Sequence, residues 1–388
     1  MPFDGFMYPN EVELQWSVLI VVYPFVTGLV AGAFILASLE RIFHVEAVKP
    51  TYRLALLTAL SFLLVAPLPL QLHLGRPERS LEMYLTPHTS SAMAMFGFVY
   101  LWYLMAVILL EVWLEYRKEI VLLSQSTTGV KRLMYRVLTL GSSNLSEGAL
   151  KVDDKVGWVI TLIGIPSAFL LHGYVGFIFG SIKANPWWNT PLMPVVFLFS
   201  AMVSGIAIVL LIYMASAHLR HKVIDMRCVD TIAQYLLYTF IIDFGLEMLD
   251  LIHRIYEADE SFHSLNFMMH TKLFFSQVVL QIALGTLVPI LTLGFIQIFH
   301  VPEQVRKFCY AVCGTLTIIG IFAMRWNVAI GGQLFSKSFL GYTTYKVDLI
   351  SREGELIAAG LLLLPFFILA VMVKILPPWP RDEVNAAD

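Results

Sequence analysis

The sequence has 388 residues, of which 58% are hydrophobic and only 14% charged. Its mean hydropathy of +0.75 lies outside the range of soluble globular domains. The formal net charge of −2 and the lack of any basic, aromatic-interleaved patch exclude a nucleic-acid binder. Cys228, Cys309 and Cys313 are too few for the four thiolates of an iron–sulfur cluster and lack the C-x-x-C-H spacing of covalent haem.

The first fifteen residues carry Asp4, Glu11 and Glu13 and no basic residue, so no cleavable signal peptide is expected and the first span stays in the protein. In chain order, apolar runs between charged or Pro/Gly-rich breaks predict spans near 16–38, 54–72, 91–113, 156–178, 192–216, 229–252, 271–298, 303–328 and 354–376. Each is long enough for a helix rising about 1.5 Å per residue to cross a core of roughly 30 Å. No alternation of polarity over strands of about ten residues suggests a barrel. The expected fold is therefore an all-α integral membrane protein with about nine transmembrane helices, forming one membrane domain over residues 1–388. Spans 3 and 5 both start after short polar sequences (TSS at 89–91, NTP at 189–191) suited to helix caps. That parallel hints at two four-helix bundles, 16–178 and 192–328, with an additional helix at 354–376.

Lys and Arg mark the cytoplasmic side. The segments after the odd-numbered spans hold about seventeen of them, including Arg117, Lys118, Lys131, Arg132 and Arg136, against about eight on the other side. The N-terminus is therefore expected outside and the C-terminus inside. The outer loops are the chemically rich ones: 73–79 (HLGRPER), 185–192 (NPWWNTPL), 257–263 (EADESFH) and 331–346.

Ionisable groups at membrane depth are costly and are candidates for function. Span 6 places Asp243, Glu247, Asp250 and Arg254 on one helical stripe. One reading is a proton relay from the outer surface with Asp243 innermost. The other is structural, with Asp250 and Arg254 as a polar helix end and Glu247 paired with Arg325 or Lys272. His172 and Tyr174 sit near the outer end of span 4 and Tyr23 in the upper half of span 1. Such residues suit the carbonyl and hydroxyl of a quinone, although an interfacial aromatic belt explains many Tyr and Trp equally well. Gln277 and Gln281 share a face of span 7, and Arg325 and Asn327 end span 8; helix-to-helix hydrogen bonding is their default role. Haem would need facing histidines inside the membrane: His44, His218, His221 and His300 fall at inner helix ends, while His73, His88, His172, His253, His263 and His270 lie on the outer side and leave a pair open there. The inner halves of the spans offer only scattered groups such as Thr58, Ser61, Thr161 and Tyr213, which argues against a continuous proton path.

The run 72–79 (LHLGRPER), the SSAM sequence at 90–93, YPFVTGLVAGA at 23–33 and PWWNTPL at 186–192 leading into SAMVSG at 200–205 resemble the quinone-interacting membrane subunits of the NrfD, or polysulfide-reductase, type. The ninth span and RWNVAIGGQ at 325–333 further resemble the DsrP branch, from the DsrMKJOP complexes of dissimilatory sulfur metabolism. The resemblance implies a subunit without haem or iron–sulfur cluster of its own, in the cytoplasmic membrane. It would bind menaquinol or ubiquinol near the outer face and pass electrons to a periplasmic, ferredoxin-like iron–sulfur subunit. Other membrane, multihaem or cytoplasmic subunits and lipid complete the implied partners. Quinone contacts are then expected from Tyr23, His73, Arg76, His172 and Tyr174, proton chemistry from His172, Asp243 and Glu247, and partner docking from Arg79, Trp187, Trp188 and Asn189. The family position at His73 is often acidic, which leaves its part in proton transfer open. Asp243, Glu247, Glu353 and Glu355 also fit a proton or ion transporter, and a purely structural membrane anchor is the third class.

Overall fold

A computed structural model describes residues 13–256, 262–335 and 342–379. Asp4, Glu11 and the acidic residues 257–260 lie outside them. The described chain is all-α and multi-pass. Among the described residues, nine long helical runs occupy the expected places: α1 (Leu19–Arg41), α2 (Lys49–Val65), α3 (Ala92–Trp102, Tyr103–Ile108 and Leu109–Ser126), α4 (Glu147–Gly180), α5 (Met193–Leu219), α6 (Met226–Tyr256), α7 (Phe274–Leu287 and Val288–Ile298), α8 (Glu303–Ala329) and α9 (Glu355–Ile375). Eight of these are both long and apolar enough to cross a bilayer. The exception, α6, has the length at 31 residues but carries the acidic stripe.

Helix ends differ from the hydropathy pattern for a local reason. Ser146 caps α4, its hydroxyl accepting from the Ala149 amide at 3.3 Å, so the helix begins well before its apolar part. At 34 residues, or about 50 Å, it projects beyond the hydrocarbon. Two runs are π-helical, Tyr103–Ile108 in α3 and Phe274–Leu287 in α7. In α7 the Thr286 hydroxyl donates back five residues to the Gln281 carbonyl at 3.0 Å.

The apolar α1 is buried on nearly all sides, packing on α2, α4, α5 and α8. Next to it, α5 also contacts α4, α6 and α8. Their backbones touch where Gly32 faces Gly205, and a Cβ on either would overlap the opposite main chain. Gly285 of α7 and Gly320 of α8 make the same kind of contact. Small residues bring membrane helices this close. Helix α9 lies on the rim against α2, exposing Leu356, Leu363 and Phe367.

Candidate functional site

The stripe on α6 begins at the C-terminal end of the helix. Asp250 accepts from Arg254 Nε at 2.9 Å and from the Thr190 hydroxyl, and Arg254 donates to the Pro186 carbonyl at 2.5 Å. These bonds tie the helix end to the loop 185–192. One turn deeper, Glu247 accepts from Gln281 Nε2 at 3.2 Å and 3.4 Å. Gln281 Oε1 accepts from Asn327 Nδ2 at 2.8 Å, and Asn327 Oδ1 from the Ser276 hydroxyl at 2.6 Å. Glu247 is thus held by an amide chain from α7 and α8, and not by a direct pair with Arg325. A further turn in, Asp243 is buried and its Oδ1 has no hydrogen-bond partner.

A cavity of about 150 Å³ opens beside this chain between α5, α6, α7 and α8. Glu247, Gln277, Gln281 and Asn327 give it one polar wall, and Met193, Val196, Leu251, Leu265, Ile282 and Met324 supply apolar surface. The buried Gln277 Oε1 is without a hydrogen-bond partner. An apolar cavity of about this volume accommodates a single six-membered ring.

His172 lies behind the cavity, fully buried. Its Nε2 is 2.9 Å from Arg325 Nη2, which also donates to Ser200 Oγ at 2.7 Å. The Arg325 guanidinium stacks over Phe197, its Cζ 4.0 Å from the ring centroid. Because a guanidinium only donates, Nε2 accepts, and the imidazole proton resides on Nδ1, 3.4 Å from Thr27 Oγ1. Gly28 of α1 leaves room for the ring, since a Cβ there would meet His172 Cε1 at 3.2 Å. Arg325 is the cation facing both Asp243 and Glu247. Glu247, Asp243 and Arg325 are thus within electrostatic reach of one another, and Arg325 is bonded to His172.

The other expected residues are dispersed. Tyr23 is buried edge-on to Phe96, and Tyr174 stacks on Phe96 and donates to the Ala92 carbonyl at 2.7 Å. His73 is engaged by Glu353 at 2.5 Å, and Arg352 donates to the Leu72 carbonyl at 2.7 Å and to that of Leu74, so the loop before α9 grips the LGRP turn. Arg76 is exposed. Of the docking residues, Arg79 and Asn189 are at the surface, with Arg79 paired to Glu82 at 2.9 Å. The tryptophans turn inward instead. Trp188 is buried, stacked on Trp16 and bonded to the Val328 carbonyl at 2.6 Å, while Trp187 donates to the Asn327 carbonyl at 2.8 Å. Both indoles satisfy the carbonyls at the C-terminal end of α8, which fixes Asn327 against the cavity.

Among the described residues, no group of three or more His, Cys, Asp or Glu is arranged to hold a metal ion. Asn327 and Gln281 bond helix to helix as their sequence positions suggest, whereas Ser276 and Ser200 were missed because nothing in their local sequence sets them apart.

The family profile described as Polysulphide reductase, NrfD matches residues 8–337. A selenate reductase subunit of Mesobacillus selenatarsenatis is 26% identical over 386 residues, covering 93% of this chain and 86% of that protein. A putative dimethyl sulfoxide reductase membrane subunit of Halobacterium salinarum is 27% identical, covering 51% of this chain and 42% of its own length. Protein NrfD of Escherichia coli is 27% identical, covering 51% of this chain and 59% of that protein.

Proposed function

The chain belongs to the NrfD, polysulphide-reductase-type family of multi-pass membrane proteins, and from that premise we propose that it takes electrons from a membrane quinol for a reductase complex. The observation that carries the proposal is the cavity between α5 and α8, with a carboxylate, two amides and an unpartnered carbonyl on one wall. A bound quinol would supply two electrons and two protons. Gln277 Oε1 offers an acceptor for a hydroxyl, and Glu247, within reach of the same wall, receives the two protons in turn, handing on the first before it takes the second. Gln281 and Asn327 hold the Glu247 carboxylate in place. The apolar side of the cavity excludes water and leaves the isoprenoid tail to exit toward lipid. Asp243, one turn deeper, takes the proton on from Glu247, Arg325 offsets the negative charge of the two acids, and His172 positions Arg325 through Nε2.

The relatives named as subunits of selenate and dimethyl sulfoxide reductases support a non-autonomous role of this kind. Within the same proposal, Cys228, Cys309 and Cys313 cannot build a cluster, so electrons leave to an iron–sulfur subunit. That partner docks on the outer loops near Arg79 and Asn189, on the periplasmic side of the cytoplasmic membrane. The contacts of α1 to α4 among themselves and of α5 to α8 among themselves support two four-helix bundles with α9 added. The stretch 325–333 and the ninth span support a place in sulfur metabolism of the DsrP kind.

The test is quinol oxidation by the assembled complex carrying Glu247→Gln. Loss of this proton acceptor is expected to lower turnover at saturating quinol by about tenfold or more, with assembly retained. Turnover equal to wild type would remove Glu247 from the reaction.

A further inference from the structure

At the other end of the helix bundle, α3 carries a carboxylic acid that the quinol reading does not use. Glu111 is 1% exposed, and its Oε2 has no hydrogen-bond partner. Its Oε1 lies 2.6 Å from Thr161 Oγ1 of α4 and 3.3 Å from the Tyr52 hydroxyl of α2. Thr161 lies eleven residues from His172 on α4, so the two sites are separated by about 16 Å along the helix axis.

The hydrogen bonds decide where a proton resides. A threonine hydroxyl has one proton. Thr161 Oγ1 is also 2.9 Å from the Gly157 carbonyl, four residues back in its own helix. The shorter contact takes the proton, so Thr161 donates to Glu111 Oε1 at 2.6 Å, where the Tyr52 hydroxyl also donates. Oε1 thus has two donors, whereas the buried Oε2 has none. A proton on Oε2 makes Oε1 the carbonyl of a neutral acid that accepts from Thr161 and Tyr52. An ionised carboxylate with one buried, unpartnered oxygen would cost far more.

The nearby cations are engaged elsewhere. Arg41 of α1 pairs with Asp154 at 3.1 Å and Glu115 at 3.6 Å, and Arg53 of α2 with Glu115 at 2.7 Å and Glu119 at 2.6 Å. Glu115 is one turn from Glu111 on α3, and Glu40 of α1 lies near it. Asp154, at 79% side-chain exposure, reaches the surface. These groups form a polar inlet from the Lys/Arg-rich face to Glu111. Two turns deeper, the Tyr103 hydroxyl is also buried and unpartnered, at the start of the π-helical run. Phe34 and Val107 close the space above by packing on Gly164.

We propose that Glu111 is a proton-binding site at the blind end of this inlet, exchanging its proton with the Lys/Arg-rich face of the membrane. It does not rest on the quinol reading, and its test needs no quinol. Infrared spectroscopy of the resting, purified complex should show a carbonyl band of a protonated carboxylic acid that shifts down in D2O and is missing in Glu111→Gln. Tyr52→Phe keeps the carboxyl but removes one donor to it, so the band should persist at higher frequency. A spectrum in which Glu111→Gln loses no such band overturns the proposal. So does a Glu111 band that ignores D2O, because an inlet must let the proton exchange, or one that Tyr52→Phe leaves in place.

Discussion

Arg325 is the residue on which most of the buried polar chemistry depends. It is a fully buried cation that donates to His172 and Ser200, stacks on Phe197 and faces two acids. Removing one member of a buried charge cluster leaves the others uncompensated, typically at about 3–5 kcal/mol. Arg325→Leu should therefore lower the thermal stability of the purified complex and its yield. Arg325→Lys keeps the charge but cannot stack and donate to two acceptors in a plane. It should assemble, with quinol turnover reduced by about tenfold, because an ammonium is a poorer anchor for His172. Thermal unfolding followed by fluorescence-detected size exclusion distinguishes the two. An Arg325→Leu complex as stable as wild type would show that the acids need no counter-charge. The acidic stripe that faces Arg325 was legible in the sequence, since Asp243, Glu247 and Asp250 repeat at helical spacing. Asp250 with Arg254 as the polar helix end was legible too, but the surroundings of Glu247 and Asp243 were not. Glu247 meets Gln281 and His172 meets Arg325 only through the crossing of helices far apart in the chain. Glu111 escaped notice for a related reason, being a single charge near the end of a span, where an acidic residue usually reaches solvent.

At the level of the helices, hydropathy located every long helix, because the bilayer imposes one length and one polarity on each span. It did not reveal the π-helical runs, since a wider turn inside an apolar helix leaves no polarity signature. Nor did it reveal the polar extensions of α4 and α6, whose stability comes from caps and neighbours rather than lipid. The close approach of α1 and α5 is written in the glycines, and its direction can be tested. Gly205→Leu forces a side chain into the main chain of α1 at Gly32 and should prevent assembly or separate the two helices. Gly245→Ala, on α6 with nothing near the added Cβ, is the matched control. It should leave yield unchanged or raise stability by up to about 1 kcal/mol. Equal yields from the two variants would show that the α1–α5 contact is not tight in the membrane.

For the whole molecule, the polar groups divide between the two ends of the bundle. The cavity, Arg254 and the indole-braced loop 185–192 lie at one end, and Glu111 with Arg41, Arg53 and Glu115 at the other. The Lys/Arg distribution predicts which end faces the cytoplasm, with the 127–146 connection expected inside and the 345–354 loop outside. With nine crossings the termini fall on opposite sides, and an error of one span inverts every later loop. Single cysteines read this directly. In a background lacking Cys228, Cys309 and Cys313, Ser351→Cys should react with a membrane-impermeant maleimide added to spheroplasts. Ser143→Cys should react only after the membrane is opened. Ser351 is exposed, in the segment whose Arg352 and Glu353 grip the LGRP turn, so labelling there also orients the His73 loop. The reverse pattern would move quinol oxidation to the cytoplasmic side and turn the Glu111 inlet outward. Labelling of both sites from outside would mean an even number of crossings between them, and one of the spans α4 to α8 would not traverse the bilayer.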